Sequence, residues 1–147
     1  MPKYHLTRTA VLVILEKDEK IFFLRRKNTG LNDGELTLPS GHVDKGESVL
    51  HAGVREAKEE AGVAVKEKDL VFIHAHYCRD IYTNFYFRAT QWEDTSVLNE
   101  PDLASEGVWI SKDGIPNDVI FQVRHMLEEV KKGNYFSDID IEDNLGI

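Results

Sequence analysis

The sequence predicts an α+β domain in which a mixed sheet lies between helical layers. Three observations carry this. Strand-like apolar runs stand on both sides of a stretch with helical periodicity, Ser48 to Ala61. A second helical pattern, from about Asn117 to Lys132, comes near the end. At 147 residues the chain fits one domain, long enough to bury roughly two-thirds of its unfolded surface.

Taken in order, Met1 to Thr7 is a polar lead, and Thr9 to Leu15 (TAVLVIL) is a continuous β-branched run, read as a buried strand. A charged turn, Glu16 to Glu19, joins it to Lys20–Arg26 (KIFFLRR), which predicts a hairpin. Lys27 to Gly34 is a loop, and Leu36 to Leu38 a brief strand ended by Pro39. Past the central helix, Asp69–His76 and Ile81–Trp92 read as strands around a turn at Tyr77 to Asp80. In the second of these, Tyr82, Asn84, Tyr86 and Arg88 alternate with Phe85, Phe87 and Ala89, so its two faces differ. Glu93 to Ser105 is a long polar loop and Glu106 to Ile110 a short strand. Ile115-Pro116 opens the last helix, whose apolar positions Val119, Ile120, Val123, Met126, Leu127 and Val130 are helically spaced, and Gly133 stops it. Ser137 to Ile147 is an acidic tail, read as a candidate for disorder.

The central helix holds the chemistry. Leu50, Val54, Ala57 and Ala61 form a narrow apolar stripe, with Ser48 as N-cap and Gly62 where the helix stops. Glu56, Glu59 and Glu60 flank that stripe. Glutamates at (i, i+4) repel and weaken an isolated helix. A hard divalent cation such as Mg²⁺ would turn the repulsion into attraction, because it takes carboxylate and phosphate oxygens. A solvated acidic face is the commoner origin of such a string.

The wider spacing decides between the two. From Gly41 to Val63 the sequence follows G-x5-E-x7-R-E-U-x-E-E-x-G-U, with U a bulky aliphatic. Gly41, Glu47, Arg55, Glu56, Glu59, Glu60, Gly62 and Val63 fill the fixed places, and the stretch resembles the signature of the Nudix hydrolases. Ala57 departs from it at the first U position, and Ser40 replaces a frequent glycine just outside. The resemblance extends over about Thr9 to Lys132 and implies an α/β/α sandwich with a mixed central sheet.

It also implies a reaction: hydrolysis of a nucleoside diphosphate linked to another moiety, with water attacking phosphorus. By that resemblance Glu56, Glu59 and Glu60 are metal ligands, the Gly41 carbonyl a fourth, and Mg²⁺ (or Mn²⁺) the cofactor. Arg55 pairs with Glu47 or a neighbouring glutamate and fixes its orientation. Glu56 is the first choice to deprotonate the attacking water; Glu100 and Glu106, from outside the helix, are its rivals or extra carboxylate ligands, and Glu100 is also placed at the substrate. Arg26 is placed as a phosphate contact, and Arg25 faces the other way. Phe85, Phe87 and Trp109 read as core aromatics, with stacking on a base as the alternative. His74 and His76 share a strand face and are read as structural, since they lack a third metal ligand.

Composition limits the partners. Eighteen basic against 26 acidic residues give a net charge of −8, which argues against wrapping a nucleic-acid backbone. The lone Cys78 excludes an intrachain disulfide, fits a reducing compartment and reads as a structural thiol. No signal peptide and no membrane span are legible, so the expectation is cytoplasmic, with a small nucleotide as partner and a homodimer left open. Three functions compete. The first is a pyrophosphohydrolase acting on a nucleoside triphosphate or a modified nucleotide. The second is cleavage of ADP-ribose or a nucleotide-sugar, disfavoured by the lack of an extra N-terminal domain. The third is a non-catalytic nucleotide-binding module, disfavoured because Arg55, Glu56, Glu59 and Glu60 are all retained.

Overall fold

Strand β1 (Arg8–Lys17) is the axis of the molecule, because it belongs to both halves of an eight-stranded mixed sheet. The computed structural model describes residues 3–27, 30, 33–79, 81–93 and 104–140. Along its length β1 runs parallel to β6 (Tyr82–Ala89), with Val11 opposite Phe85 and Leu15 opposite Ala89. At its end it forms the expected hairpin with β2 (Lys20–Arg26). Strand β3 (Leu36–Thr37) pairs with β2, and β4 (Ser40–His42) lies antiparallel to the start of β1, setting Gly41 opposite Val11. Strand β5 (Val71–Cys78) pairs antiparallel with β6, and β7 (Ala104–Ser111) with β2.

Alternation along these strands sorts side chains into two cores. Val11, Val13, Leu15, Phe22, Leu24, Phe87 and Ala89 face helix α1 (Val49–Glu56) and pack on Ala52, Ala57 and Ala61. Leu12, Ile14, Ile21, Phe23 and Tyr86 face helix α2 (Phe121–Lys131) and pack on Val123 and Met126. A mixed sheet between two helices is the expected α/β/α arrangement. Phe85, Phe87 and Trp109 all pack into the α1-side core, as anticipated for core aromatics.

Several boundaries differ from the sequence reading. Helix α2 begins at Phe121 rather than Asn117, because Leu36 bonds across to this segment. Its N–H donates to the Asp118 carbonyl and its carbonyl accepts from the Ile120 N–H, at 2.8 and 2.9 Å. Tyr77 and Cys78 extend β5 instead of turning. Part of the acidic tail is also ordered: β8 (Phe136–Ile139) lies parallel to β5 with Ser137 opposite His76. Most of the polar loop after Glu93 lies outside the described residues. Among the described residues, no helix is long and apolar enough to cross a membrane.

Candidate active site

Helix α1 starts as its sequence dictates. Ser48 is extended, and its hydroxyl accepts from the His51 N–H at 3.1 Å, a side-chain N-cap. Its end differs from a plain α-helix. From Ala57 to Ala61 the chain widens into a π-turn, where hydrogen bonds reach five residues back instead of four. Each side chain there advances less around the axis, so the positions of Glu59 and Glu60 differ from those of a straight helical wheel. Gly62 closes the turn in the left-handed region at φ 76°, and its N–H donates to the Lys58 carbonyl at 3.0 Å.

Arg55 is the hub of the site. Its Nε and Nη2 donate to the two oxygens of Glu47 at 2.8 and 2.9 Å, a bidentate pair. Its Nη1 donates to Glu56 Oε1 at 2.6 Å and to Glu59 Oε2 at 3.2 Å. Nη2 also donates to the His42 carbonyl at 3.0 Å, which ties the helix to the end of β4. The expected pairing of Arg55 with Glu47 is therefore present, together with contacts to two further glutamates. Glu47 also accepts from the Asp44 N–H at 3.0 Å. The Arg55 hydrogen bonds, then this backbone bond, lower the Glu47 carboxyl to about 2, so it stays ionised at any ordinary pH.

Glu56 departs from the sequence reading. Expected to flank the apolar stripe, it is only 7 % exposed and lies against Gly41. A Cβ on residue 41 would collide with its carboxylate, so glycine here makes room for a charge. Burying a carboxylate requires a partner. Arg55 supplies it, and that pairing draws Glu56 inward. Glu59 is exposed and Glu60 half-buried on the same segment.

These carboxylates offer the hard oxygen donors that a divalent cation takes. Among the described residues, however, no three His, Cys, Asp or Glu side chains converge as a ready metal-ligand group. Oxygens of Glu56 and Glu59 are engaged by Arg55 instead. The donor set fits such a cation in chemistry, and the arrangement is that of a guanidinium-bridged state.

Outside the helix the picture separates. Arg25 donates from Nε to Glu106 at 2.6 Å and from Nη1 to Asp118 at 2.9 Å and the Gly34 carbonyl at 2.7 Å. It lies on the α2 side with Phe23, and strand parity puts Arg26 on the α1 side with Phe22 and Leu24. Glu106, opposite Arg25 in the ladder, is thereby held away from the α1 face. Glu100 lies outside the described residues. Cys78 is fully buried, and burial pushes its thiol up to about 11, which suits a structural role. Sequence reasoning missed His42 and Asp44, which hold Arg55 and Glu47 through backbone groups. Asp44 also brings its carboxylate to 3.6 Å from Arg55 Nη2.

A family description of the NUDIX domain matches residues 5–130, and the chain belongs to the Nudix hydrolase family. Over 83 residues it is 42% identical to an ADP-ribose pyrophosphatase of Methanocaldococcus jannaschii, covering 54% of this chain and 48% of that protein. Over 66 residues it is 36% identical to the ADP compounds hydrolase NudE of Escherichia coli, covering 45% of this chain and 34% of that one. It thus spans about half or less of the length of these curated relatives. The crystal structure of a MutT Nudix hydrolase from Burkholderia pseudomallei superposes with a TM-score of 0.76 at 25% identity, over 85% of this chain and 98% of that one. Enzymes of the family act on small nucleotide substrates and generally depend on a divalent metal.

Proposed function

We propose that this chain is a Mg²⁺-dependent pyrophosphohydrolase that cleaves a phosphoric anhydride bond in a nucleoside triphosphate or a modified nucleotide. One observation carries the reading. A single guanidinium, Arg55, gathers Glu47, Glu56 and Glu59 beside a glycine that leaves room for the buried carboxylate. Glu56, Glu59, Glu60 and the Gly41 carbonyl would hold Mg²⁺, and Mn²⁺ suits the same oxygen donors. Such an ion would neutralise phosphate oxygens and acidify a water. Glu47 anchors Arg55, and Arg55 orients Glu56 and Glu59. Glu56 takes the proton of the attacking water as general base. Arg26, on the α1 side by strand parity, contacts the substrate phosphates. The net charge of −8 argues against a nucleic-acid partner and means that an anionic nucleotide needs the bound cation to offset the field, while the single buried thiol supports a cytoplasmic setting.

A second reading, cleavage of ADP-ribose, is favoured by the name of the Methanocaldococcus relative. The test is incubation with Mg²⁺ and a panel of nucleoside triphosphates, ADP-ribose and nucleotide-sugars, with chromatography of the products. Release of a nucleoside monophosphate and pyrophosphate, abolished by EDTA and by Glu56→Gln, is the expected result. Preferential release of AMP and ribose phosphate would transfer the assignment to ADP-ribose. No turnover on any member would leave a binding module.

A further inference from the structure

A cleft of about 360 Å³ opens at the hairpin end of the sheet, lined by Leu15, Lys17, Asp18, Lys20, Val63, Trp92 and Trp109. Leu15 lies four residues along β1 from Val11, the partner of Gly41. That offset is about 13 Å at roughly 3.3 Å per residue, so the cleft is set apart from the Gly41–Glu56 contact. The two indoles lie almost parallel, 12° apart with centroids separated by 6.1 Å, and both are only partly buried. Phe22 supports Trp109 from the side at 5.4 Å. The wall is thus a broad aromatic surface fixed by the core beneath it.

The rim carries an unusual charge pattern. Lys17 and Lys20 are direct cross-strand partners. Parity places both on the cleft face, with Leu15 and Phe22. Like charges directly opposite each other on a ladder are destabilising. Among the described residues neither ammonium has an ion-pair partner. The nearby acids are drawn elsewhere: Lys112 holds Glu16 at 2.9 Å and Glu19 at 3.6 Å, and Lys66 holds Glu93 at 3.4 Å. Only Asp18 remains at the lip. In a chain of net charge −8, two unpaired lysines beside paired indoles form a local site for an anion with a flat apolar ring.

We propose that this cleft binds a nucleoside monophosphate, with the base stacked on Trp92 and the phosphate between Lys17 and Lys20. An aromatic platform beside cationic side chains is the general means of holding a nucleotide without base-specific hydrogen bonds. The site is separate from the carboxylate cluster and needs no metal, so it stands whether or not the chain hydrolyses anhydrides.

The two tryptophans of the chain both line this cleft, which makes intrinsic fluorescence a direct reporter. The intact protein is titrated with AMP in EDTA, with adenosine and ribose 5-phosphate as partial ligands. Saturable quenching by AMP is expected, with adenosine and ribose 5-phosphate each weaker by at least fivefold. The Lys17→Gln/Lys20→Gln double variant should bind AMP at least fivefold more weakly with a Tm that does not fall, since both side chains are exposed and their mutual repulsion is relieved. Trp92→Phe, which keeps a ring, should retain binding, and Trp92→Ala should lose about tenfold. Glu60→Gln, at the separate carboxylate cluster, should leave AMP quenching in EDTA unchanged, and a matching loss of AMP binding in this variant would overturn the separation of the two sites. Absence of quenching, equal binding of adenosine, or AMP binding unchanged by the lysine substitutions would each overturn the proposal.

Discussion

The Glu56 carboxylate fills the space in which a side chain at residue 41 would begin, so this glycine and this glutamate form a matched pair. Gly41→Ala must either push Glu56 outward or shift β4 away from β1. We expect a loss of about 1–3 kcal/mol, the usual cost of overpacking, read from the urea midpoint. Turnover should fall much further than stability. Ser40→Ala, one residue away, should leave turnover within about twofold. Equal kinetic effects from the two would mean that the Gly41–Glu56 contact does not shape the site.

Arg55 cannot be replaced by another cation. Lysine carries one point charge and cannot reach Glu47 bidentately while also bridging Glu56 and Glu59. Arg55→Lys should therefore cost about 10- to 100-fold in kcat, the scale of a lost positioning contact. Carbon-13 NMR of the glutamate carboxyls should show Glu47 returning from about 2 toward the ordinary carboxylate range, since the Arg55 hydrogen bonds are the largest cause of its depression. A Glu47 titration that stays near 2 would place the cause elsewhere.

The two strand-end arginines should separate cleanly. Arg26→Ala is expected to raise KM for the nucleotide severalfold. Arg25→Ala should leave KM alone and lower stability by about 0.5–1 kcal/mol, a discounted figure for a partly exposed ion-pair network. Similar effects from both would argue against the division of the two faces.

Acid should loosen the α2 side of the sheet first. His74 and His76 are fully buried, and desolvation lowers both, His76 to about 3. His74 is held by Ser137 Oγ at 2.6 Å and the Asn134 carbonyl at 3.0 Å, and His76 by the Tyr86 hydroxyl at 3.3 Å. A histidine lowered in the folded state binds its proton more readily when unfolded. The stability it contributes is complete above about 6.5 and is lost as pH falls toward 3. The slope attributable to His76 approaches ~1.4 kcal/mol per pH unit in that window. Urea unfolding at pH 7, 6, 5 and 4 should show this dependence, and His76→Gln should flatten it. Glu47, also lowered, adds its loss only below about 4.5.

The hairpin turn carries removable strain. Asp18 and Glu19 both adopt positive φ, 53° and 61°, where glycine and asparagine are favoured. Asp18→Asn with Glu19→Gly should raise stability by about 0.5–1 kcal/mol, measured as a higher urea midpoint. A lower midpoint would show that the Lys112–Glu19 pairing outweighs the backbone term.

What the sequence disclosed divides along physical lines. Local chemistry was legible: the Ser48 cap, the left-handed Gly62, the β1–β2 hairpin and the alternating faces of β6 follow from neighbouring residues. Features fixed by distant partners were not. The segment before α2 has helical spacing, yet its backbone bonds to Leu36. The strand at Phe136–Ile139 looks like an acidic tail until β5 offers it a ladder. Glu56 sits beside an apolar stripe on a helical wheel, and only Gly41 and Arg55 explain its burial. The π-turn likewise leaves no signature in residue spacing.

The placement of β1 has a consequence for synthesis. Its hairpin with β2 closes as soon as residue 26 is available, but its parallel neighbour β6 starts at residue 82. The ribosome must therefore release more than half the chain before the sheet beneath α1 is whole. Until then the apolar flank of α1 and the upper half of β1 have no complete surface to rest on. Such distant pairing slows folding and prolongs the exposure of sticky surface. The nascent protein is thus vulnerable for longest in the segment that later carries its charged cluster, and chaperone capture there would follow from topology alone.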